Sequence, residues 1–543
     1  MIDNALVRRI AAFTAPVLVI VVAVVHAFAR NRMPLGDDGL IILRAQDVFT
    51  SDHPWFGTWT SASKQLGVDL NNPLPLHFEL LGLLARPFGL VAGSVLGSAF
   101  VGILGATVAV RQGELLAGER GRVAASLAAT GLAWTIGSEL LVEPWQPHNL
   151  LLPFLAVLVA CASWASGRPS SAAWAVGLGS MVMGAHLSFA YLMLGLWAVA
   201  LVSCVLARRA NGEPLLVAHW PASVVLVVAW SQAVWEQFAG VGEGNLSRVV
   251  RTLGSGAEPI GASLGTRITA EVVALPPWWL RPSFDRSIPA TPFGSDGSLQ
   301  PAGVAPFWIA AVALICVVAL LAYTWRRSSQ RLDLAMRSSA LIALTALLLA
   351  WFTAVRMPAN VLGLAPHQAR WLWPIAIVCS VVLAGEFAGW LSERGRVSSR
   401  AVLSGTAVAM AALVVWSVVP YEIDQGPSAT RGSNEAVRSL VDQLETVVLP
   451  GPTRFDETSL WFAEPYSGPV FAVLFGNDQP LRLGDEGWIR QVGESRRATG
   501  DEEWVLRLVV GQEAVDLAEG EEIVAGAEGP DGLPVALVLA PAD

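Results

Sequence analysis

Long runs of apolar residues alternate with short polar connections over most of the chain. The first run, 10–29, is long enough to cross a bilayer as a helix. Ten further runs have a comparable length, and the pattern therefore predicts about eleven transmembrane helices. The later runs cover roughly 90–110, 123–140, 150–164, 172–188, 189–207, 219–238, 305–325, 338–355, 371–391 and 401–419.

Two adjacent carboxylates, Asp37 and Asp38, follow the first apolar run within the stretch GDDG. Like charges on neighbouring residues repel, so their pKa values separate, and one can act as a base while the other holds a metal or a substrate. The alternative is that one of them caps the helix that begins at Leu40. That helix is predicted at 38–49, lying on the membrane surface with Asp37 and Arg44 on one face.

The composition is that of a membrane protein. Hydrophobic residues make up 54% and charged residues 15% of the chain, with a mean hydropathy of +0.53, whereas soluble proteins carry about 25% charged residues. The four cysteines lie inside apolar runs without a C-x-x-C spacing, so neither a disulfide framework nor a cysteine metal site is predicted.

Arginines recur in every second connection between the predicted spans. With a cytoplasmic N-terminus this pattern obeys the positive-inside rule throughout. The loops 30–89 and 239–304 and the C-terminus are then extracytoplasmic, and the chain is predicted to be a multi-pass plasma-membrane protein. The short apolar segment 75–88 is predicted to stop at Arg86-Pro87 and to lie at the interface, because a full span there would reverse all later loops.

From about residue 420 the chain becomes polar and acidic. One amphipathic helix at 432–447 and strands at 504–510 and 534–540 predict a small soluble domain with its own core. The predicted fold is therefore mainly α, with a transmembrane domain at 1–419 and an extracytoplasmic α/β domain at 420–543. We expect this C-terminal domain to orient or regulate rather than to catalyse.

Polar side chains at the outer ends of the predicted spans are candidates for substrate binding. Arginine binds phosphate through a planar fork of donors, which histidine and glutamine supplement. A snorkelling arginine and structurally hydrogen-bonded histidines are the alternatives, since any membrane helix has such groups. The candidates are His77, Glu143, His148, His367, Gln368 and Arg370, together with Arg44.

The layout resembles the GT-C superfamily of membrane glycosyltransferases, which includes protein O-mannosyltransferases, aminoarabinose transferases and mycobacterial arabinosyltransferases. The resemblance rests on the acidic pair Asp37-Asp38 in the first loop, the helix after it, the short Pro-led helix, the regular spans and the long later loop. It implies that the first-loop carboxylates act as catalytic base or metal ligand, and that the donor is a polyprenyl-phosphate sugar. The chain has NNPLP at 71–75 where the mannosyltransferase branch has a His-Pro-Pro motif.

The resulting hypothesis is an inverting glycosyl transfer on the external face, from the lipid-linked donor to a hydroxyl of an envelope glycan, lipid or protein. No cofactor is required, although a divalent metal cation at Asp37 and Asp38 is compatible with the pattern. Membrane lipids are expected partners and nucleic acids are not. A transporter or flippase of lipid-linked sugars and a non-catalytic envelope scaffold are the alternatives.

Overall fold

The computed structural model describes residues 4–60, 62–213, 219–240, 243–252, 258–275, 304–358, 364–420, 431–461 and 464–542. The part of the long predicted loop at 276–303 lies outside these residues. The N-terminal part is helical throughout. Its helices are α1 (Asn4–Ala29), α2 (Asp37–Gln46), α3 (Ala62–Leu66), α4 (Leu76–Ile136), α5 (Gln146–Asn149), α6 (Leu151–Ala165), α7 (Ser170–Ala185), α8 (Ala190–Ala210), α9 (Trp220–Ala239), α10 (Asn245–Arg251), α11 (Gly261–Val273), α12 (Phe307–Gln330), α13 (Leu334–Arg356), α14 (Leu372–Glu393) and α15 (Ser399–Trp416).

Seven helices of the described residues are long and apolar enough to cross a membrane, which makes the chain a membrane protein. Each of the eleven predicted spans falls mostly within a helix, while their number as membrane crossings stays a prediction. Helix α4 contains two of them, 90–110 and 123–140, because its backbone leaves the helical conformation at Gly89 and again at Ala117 and Gly118. The short helix predicted to stop at Arg86-Pro87 instead continues to the first break, at Gly89.

The helical part packs around α6, in which nearly every residue is buried. Helices α4, α7, α8, α13 and α14 surround it. Large apolar side chains such as Val227, Val228 and Ile315 lie exposed on the outer helices, as expected for surfaces that contact lipid tails.

The C-terminal domain is an α/β unit. It contains α16 (Arg431–Leu444), α17 (Ser467–Gly476) and α18 (Glu486–Val492), with strands β1 (Thr453–Phe455), β2 (Leu481–Arg482), β3 (Trp504–Val510), β4 (Glu522–Glu528) and β5 (Pro534–Pro541). The strands form one sheet in the order β2-β1-β3-β5-β4. Strands β2, β1 and β3 are parallel, whereas β5 runs antiparallel to β3 and β4. The predicted helix and both predicted strands are confirmed.

Helix α2 joins the two parts of the molecule. It packs against α4 on one side and α17 on the other, so all of its residues from Asp38 to Ala45 are buried. The prediction that this helix lies on the membrane surface is therefore wrong, because the face of α2 that does not pack on α4 contacts the C-terminal domain instead of lipid. Met33, Leu40 and Leu43 belong to the hydrophobic core of that domain.

Candidate functional site

The acidic pair forms the first turn of α2. Gly36 precedes it at the N-cap position with φ +49°, a conformation that glycine adopts without strain. No side chain caps the helix, and Asp37 and Asp38 are its first two residues. The capping alternative for the pair is therefore wrong, although negative charge in the first turn still interacts favourably with the helix dipole.

The two aspartates differ in their surroundings. Asp38 is buried and lies beside Arg32, with 3.4 Å between its Oδ2 and the Arg32 Nη2. Burial raises the pKa of Asp38 well above its ordinary value, and the charges of Glu143 and Asp37 raise it further, whereas Arg32 and a backbone hydrogen bond from Trp145 lower it.

Asp37 is exposed, yet protein surrounds it closely enough to raise the pKa of its carboxyl, against the effect of a hydrogen bond from the Trp145 side chain. Asp37 is therefore accessible to solvent at a position with much protein around it, which we call its recess. Asp37 is thus the member of the pair that a molecule from solvent can reach.

A turn between α4 and α6 brings a second set of charged groups to the pair. The Glu143 carboxylate contacts the His148 Nδ1, and the Arg370 guanidinium contacts the Nε2 of the same ring. Because an arginine side chain can only donate hydrogen bonds, the His148 Nε2 accepts one from Arg370. The ring proton is therefore on Nδ1, and this N–H donates a hydrogen bond to the Glu143 carboxylate. These three side chains, all buried, form a chain from the turn to Arg370, two residues before α14.

The electrostatics of this chain favour a proton at Glu143. Burial raises its pKa to about 7, with Arg32 and Arg370 lowering it and the carboxylates of Glu139 and Asp37 raising it. Glu143 therefore titrates near neutral pH. A proton there reduces the negative charge that faces Arg370, and so favours an anion beside the arginine.

The remaining predicted residues are distributed around this centre. His367 is half-buried, with its ring centroid 4.6 Å from that of Trp145. Burial, followed by the effects of His148 and Arg370, lowers its pKa to about 3, so it is a neutral hydrogen-bonding group. Gln368 accepts the backbone N–H of Ala365 and closes a short helical turn.

Two predicted residues have structural partners elsewhere. His77 is buried and its Nε2 lies 2.9 Å from the Oδ1 of Asn149, the residue after His148. Arg44 is buried at 2.5 Å from Asp47 and donates to the carbonyl of Val492 in the C-terminal domain. The structure therefore places Arg44 in the contact between the two parts of the molecule, two helical turns from the acidic pair.

Three contributors to the centre were missed in the sequence. Arg32 contacts Asp38, Arg30 lies 3.5 Å from Glu139, and Trp145 donates to both aspartates. A signal for the arginines was present. They follow the end of α1 in a loop predicted to be external, where the positive-inside rule gives no reason for arginines.

The carboxylates of Asp38 and Glu143 have partners within the protein. Asp38 faces Arg32, and Glu143 faces the His148 N–H. Among the described residues, no group of three or more His, Cys, Asp or Glu side chains has the geometry to hold a metal ion. Metal binding at the acidic pair stays a prediction, and no step below depends on it.

Comparison with known proteins assigns no family. No protein-family model matches the sequence, and no curated protein is significantly similar to it.

Proposed function

We propose that this protein is a membrane glycosyltransferase that moves a sugar from a polyprenyl-phosphate donor to an acceptor hydroxyl. The observation that carries the proposal is one centre in which Asp38 contacts Arg32, and Glu143 of the Glu143–His148–Arg370 chain interacts electrostatically with both aspartates. This combination supplies a base and cations for a leaving phosphate at the ends of membrane helices. The resemblance in layout to GT-C enzymes supports the same assignment.

Asp37 is proposed as the general base. Its carboxylate takes the proton of the acceptor hydroxyl while the hydroxyl oxygen attacks the anomeric carbon. The bond between that carbon and the phosphate oxygen breaks, and its electron pair leaves with the lipid phosphate. Attack from the side opposite the phosphate inverts the anomeric centre. A raised pKa makes Asp37 a stronger base than an ordinary aspartate, and base assistance is worth about 10²- to 10⁴-fold in rate.

Arg32 and Arg370 are proposed to stabilise the departing phosphate. Arg32 is partly accessible beside Asp38, whereas Arg370 is buried behind His148. Positive charge aimed at a developing anion within a low-dielectric site is worth several kcal/mol, about as much as the base. His367 contributes as a neutral donor. Arg44, bound to Asp47, is assigned to structure instead.

The proposed orientation places this centre on the extracytoplasmic side. The basic residues, including Arg326, Arg327 and Arg331 at the C-terminal end of α12, lie at the other ends of the helices. A polyprenyl chain can then remain in the membrane while its phosphate reaches the centre at the interface.

The test uses the purified protein in vesicles that contain polyprenyl-phosphate mannose or polyprenyl-phosphate arabinose, with a cell-envelope extract as the acceptor source. We expect one donor to release polyprenyl phosphate with the wild type and with Asp501→Asn, an exposed control on the C-terminal domain, and not with Asp37→Asn. Movement of intact donor between leaflets without cleavage would instead indicate a transporter, and absence of both effects would contradict the proposal.

A further inference from the structure

The C-terminal domain contacts the acidic stretch directly. Its turn Glu464–Gly468 lies against Gly36–Gly39, and the Gly36 N–H donates to the Pro465 carbonyl at 2.9 Å. The contact is backbone on backbone. A Cβ at Gly468 would lie 1.8 Å from the Gly36 carbonyl oxygen, and one at Gly39 would lie 2.3 Å from the Gly468 carbonyl carbon. Only glycine permits this approach from either side.

The same turn is internally fixed by a buried carboxylate. Glu464 accepts the backbone N–H groups of Tyr466 and Ser467 at 2.6 and 2.9 Å, and also the Ser467 hydroxyl. These bonds hold the start of α17 against the start of α2. Glu464 also interacts electrostatically with Asp37, so the turn lies near Asp37.

Two more contacts hold the flanks of this stretch. Before it, Asn434 of α16 accepts the Met33 N–H at 2.6 Å and donates to the Asn31 carbonyl at 3.1 Å. After it, Arg496 forms a bidentate pair with Asp47, at 2.7 and 2.8 Å. The C-terminal domain therefore binds the chain before, at and after the acidic pair.

We infer that the C-terminal domain is a positioning element of the acidic centre, and that the Glu464–Gly468 turn fixes Asp37 in its recess. Helix α2 has ten residues, too few for a helix to be stable in water without packing partners. Its first turn is therefore defined by what packs on it. For turnover the inference rests on the proposed function, because misplacing a catalytic group by about 1 Å can cost about 10²-fold in rate.

The test compares two alanine variants of one helix in the full-length protein. Gly468→Ala places a methyl group in the contact with Gly36, whereas Gly476→Ala, at the other end of α17, has no atom within 4 Å of its new Cβ. Asn434→Ala is a milder second variant, which removes two hydrogen bonds on the flank. Size-exclusion chromatography and thermal melting establish that each variant remains folded.

The first readout is the rate at which a membrane-impermeant thiol reagent labels Asp37→Cys. Cys316, the exposed native cysteine, is replaced by serine in all samples. We expect Gly468→Ala, and to a smaller extent Asn434→Ala, to raise the labelling rate several-fold because the recess opens. Gly476→Ala should leave it unchanged. Equal rates in all variants would overturn the inference whatever reaction the protein performs.

The second readout is steady-state transfer in the background that retains Asp37. We expect Gly468→Ala to lower kcat by about 10²-fold with the KM for the donor within about twofold, because Arg32 and Arg370 are untouched. Faster labelling with unchanged kcat would show that the turn only covers Asp37, and would overturn the positioning role. If the wild type transfers no sugar, the proposed function fails, and the labelling rates alone decide whether the turn holds Asp37.

Discussion

Glu143 offers a direct measurement of the charge balance in the centre. It is buried, and its pKa of about 7 compares with an ordinary value of 4.5. A carboxyl whose pKa is raised by folding stabilises the fold fully below its unfolded value, and this contribution is lost as the pH rises through the folded value. The stability of the wild type should therefore fall between about pH 4.5 and pH 7.

The magnitude follows from the same two values. Each pKa unit corresponds to about 1.4 kcal/mol, so the loss on ionisation of Glu143 is about 3 kcal/mol. Glu143→Gln removes the ionisation and keeps an oxygen that can accept the His148 N–H. The variant should match the wild type near pH 5 and exceed its free energy of unfolding by about 3 kcal/mol near pH 8.

The assay is thermal unfolding of the detergent-solubilised protein at pH 5 and pH 8. We expect the Tm of Glu143→Gln to exceed that of the wild type by a few degrees at pH 8 only. Gln146→Ala, at a buried neutral neighbour, controls for other titrating groups and should change the Tm equally at both pH values. A wild type more stable than Glu143→Gln at pH 8 would show that Arg32 and Arg370 outweigh burial, and would refute the reasoning.

Three further predictions follow from the site. Asp37→Asn should lower turnover by about 10²- to 10⁴-fold while its Tm stays within about a degree of the wild type, since the side chain does not cap α2; comparable activity in Asp37→Asn and the control Asp501→Asn would contradict its role as base. Arg370→Lys retains the charge and loses the planar fork, so the KM for the donor should rise about tenfold or more in steady-state assays, and an unchanged KM would remove Arg370 from the donor site. Cysteines placed at the exposed positions Ser51 and Asp501 should react with an impermeant reagent in intact cells and one at the exposed Gln330 should not; labelling at Gln330 alone would reverse the orientation.

Many residues of the centre could be predicted from the sequence, because polar groups at the ends of apolar runs are few. Asp37, Asp38, Glu143, His148 and Arg370 were all candidates on that ground, and the structure brings them together. Their pairing was not predictable, since residues 143, 148 and 370 meet only through the packing of α6 and α14 against α4.

The predictions that were wrong or missing all depend on tertiary contacts, which the sequence pattern does not show. Apolar periodicity showed that α2 has a buried face, but it cannot distinguish lipid from another domain as the partner of that face. Gly36 and Gly468 carry no pattern that links them, although their backbones are in direct contact. Arg44 was assigned to phosphate because its spacing places it on the same helix face as Asp37, whereas its partner is Asp47, three residues further along the chain at the C-cap of α2.

The pairing of Asp47 with Arg496 also sets an order of events during biosynthesis. The two residues are 449 positions apart, so at about 5 to 20 residues per second the ribosome needs roughly 20 to 90 s to deliver the second after the first. Helix α2 is therefore synthesised long before its partner exists. A chain interrupted before residue 496 lacks the ion pair at the C-terminal end of α2, so we expect the end of this helix to be held in place only after residue 496 has been added.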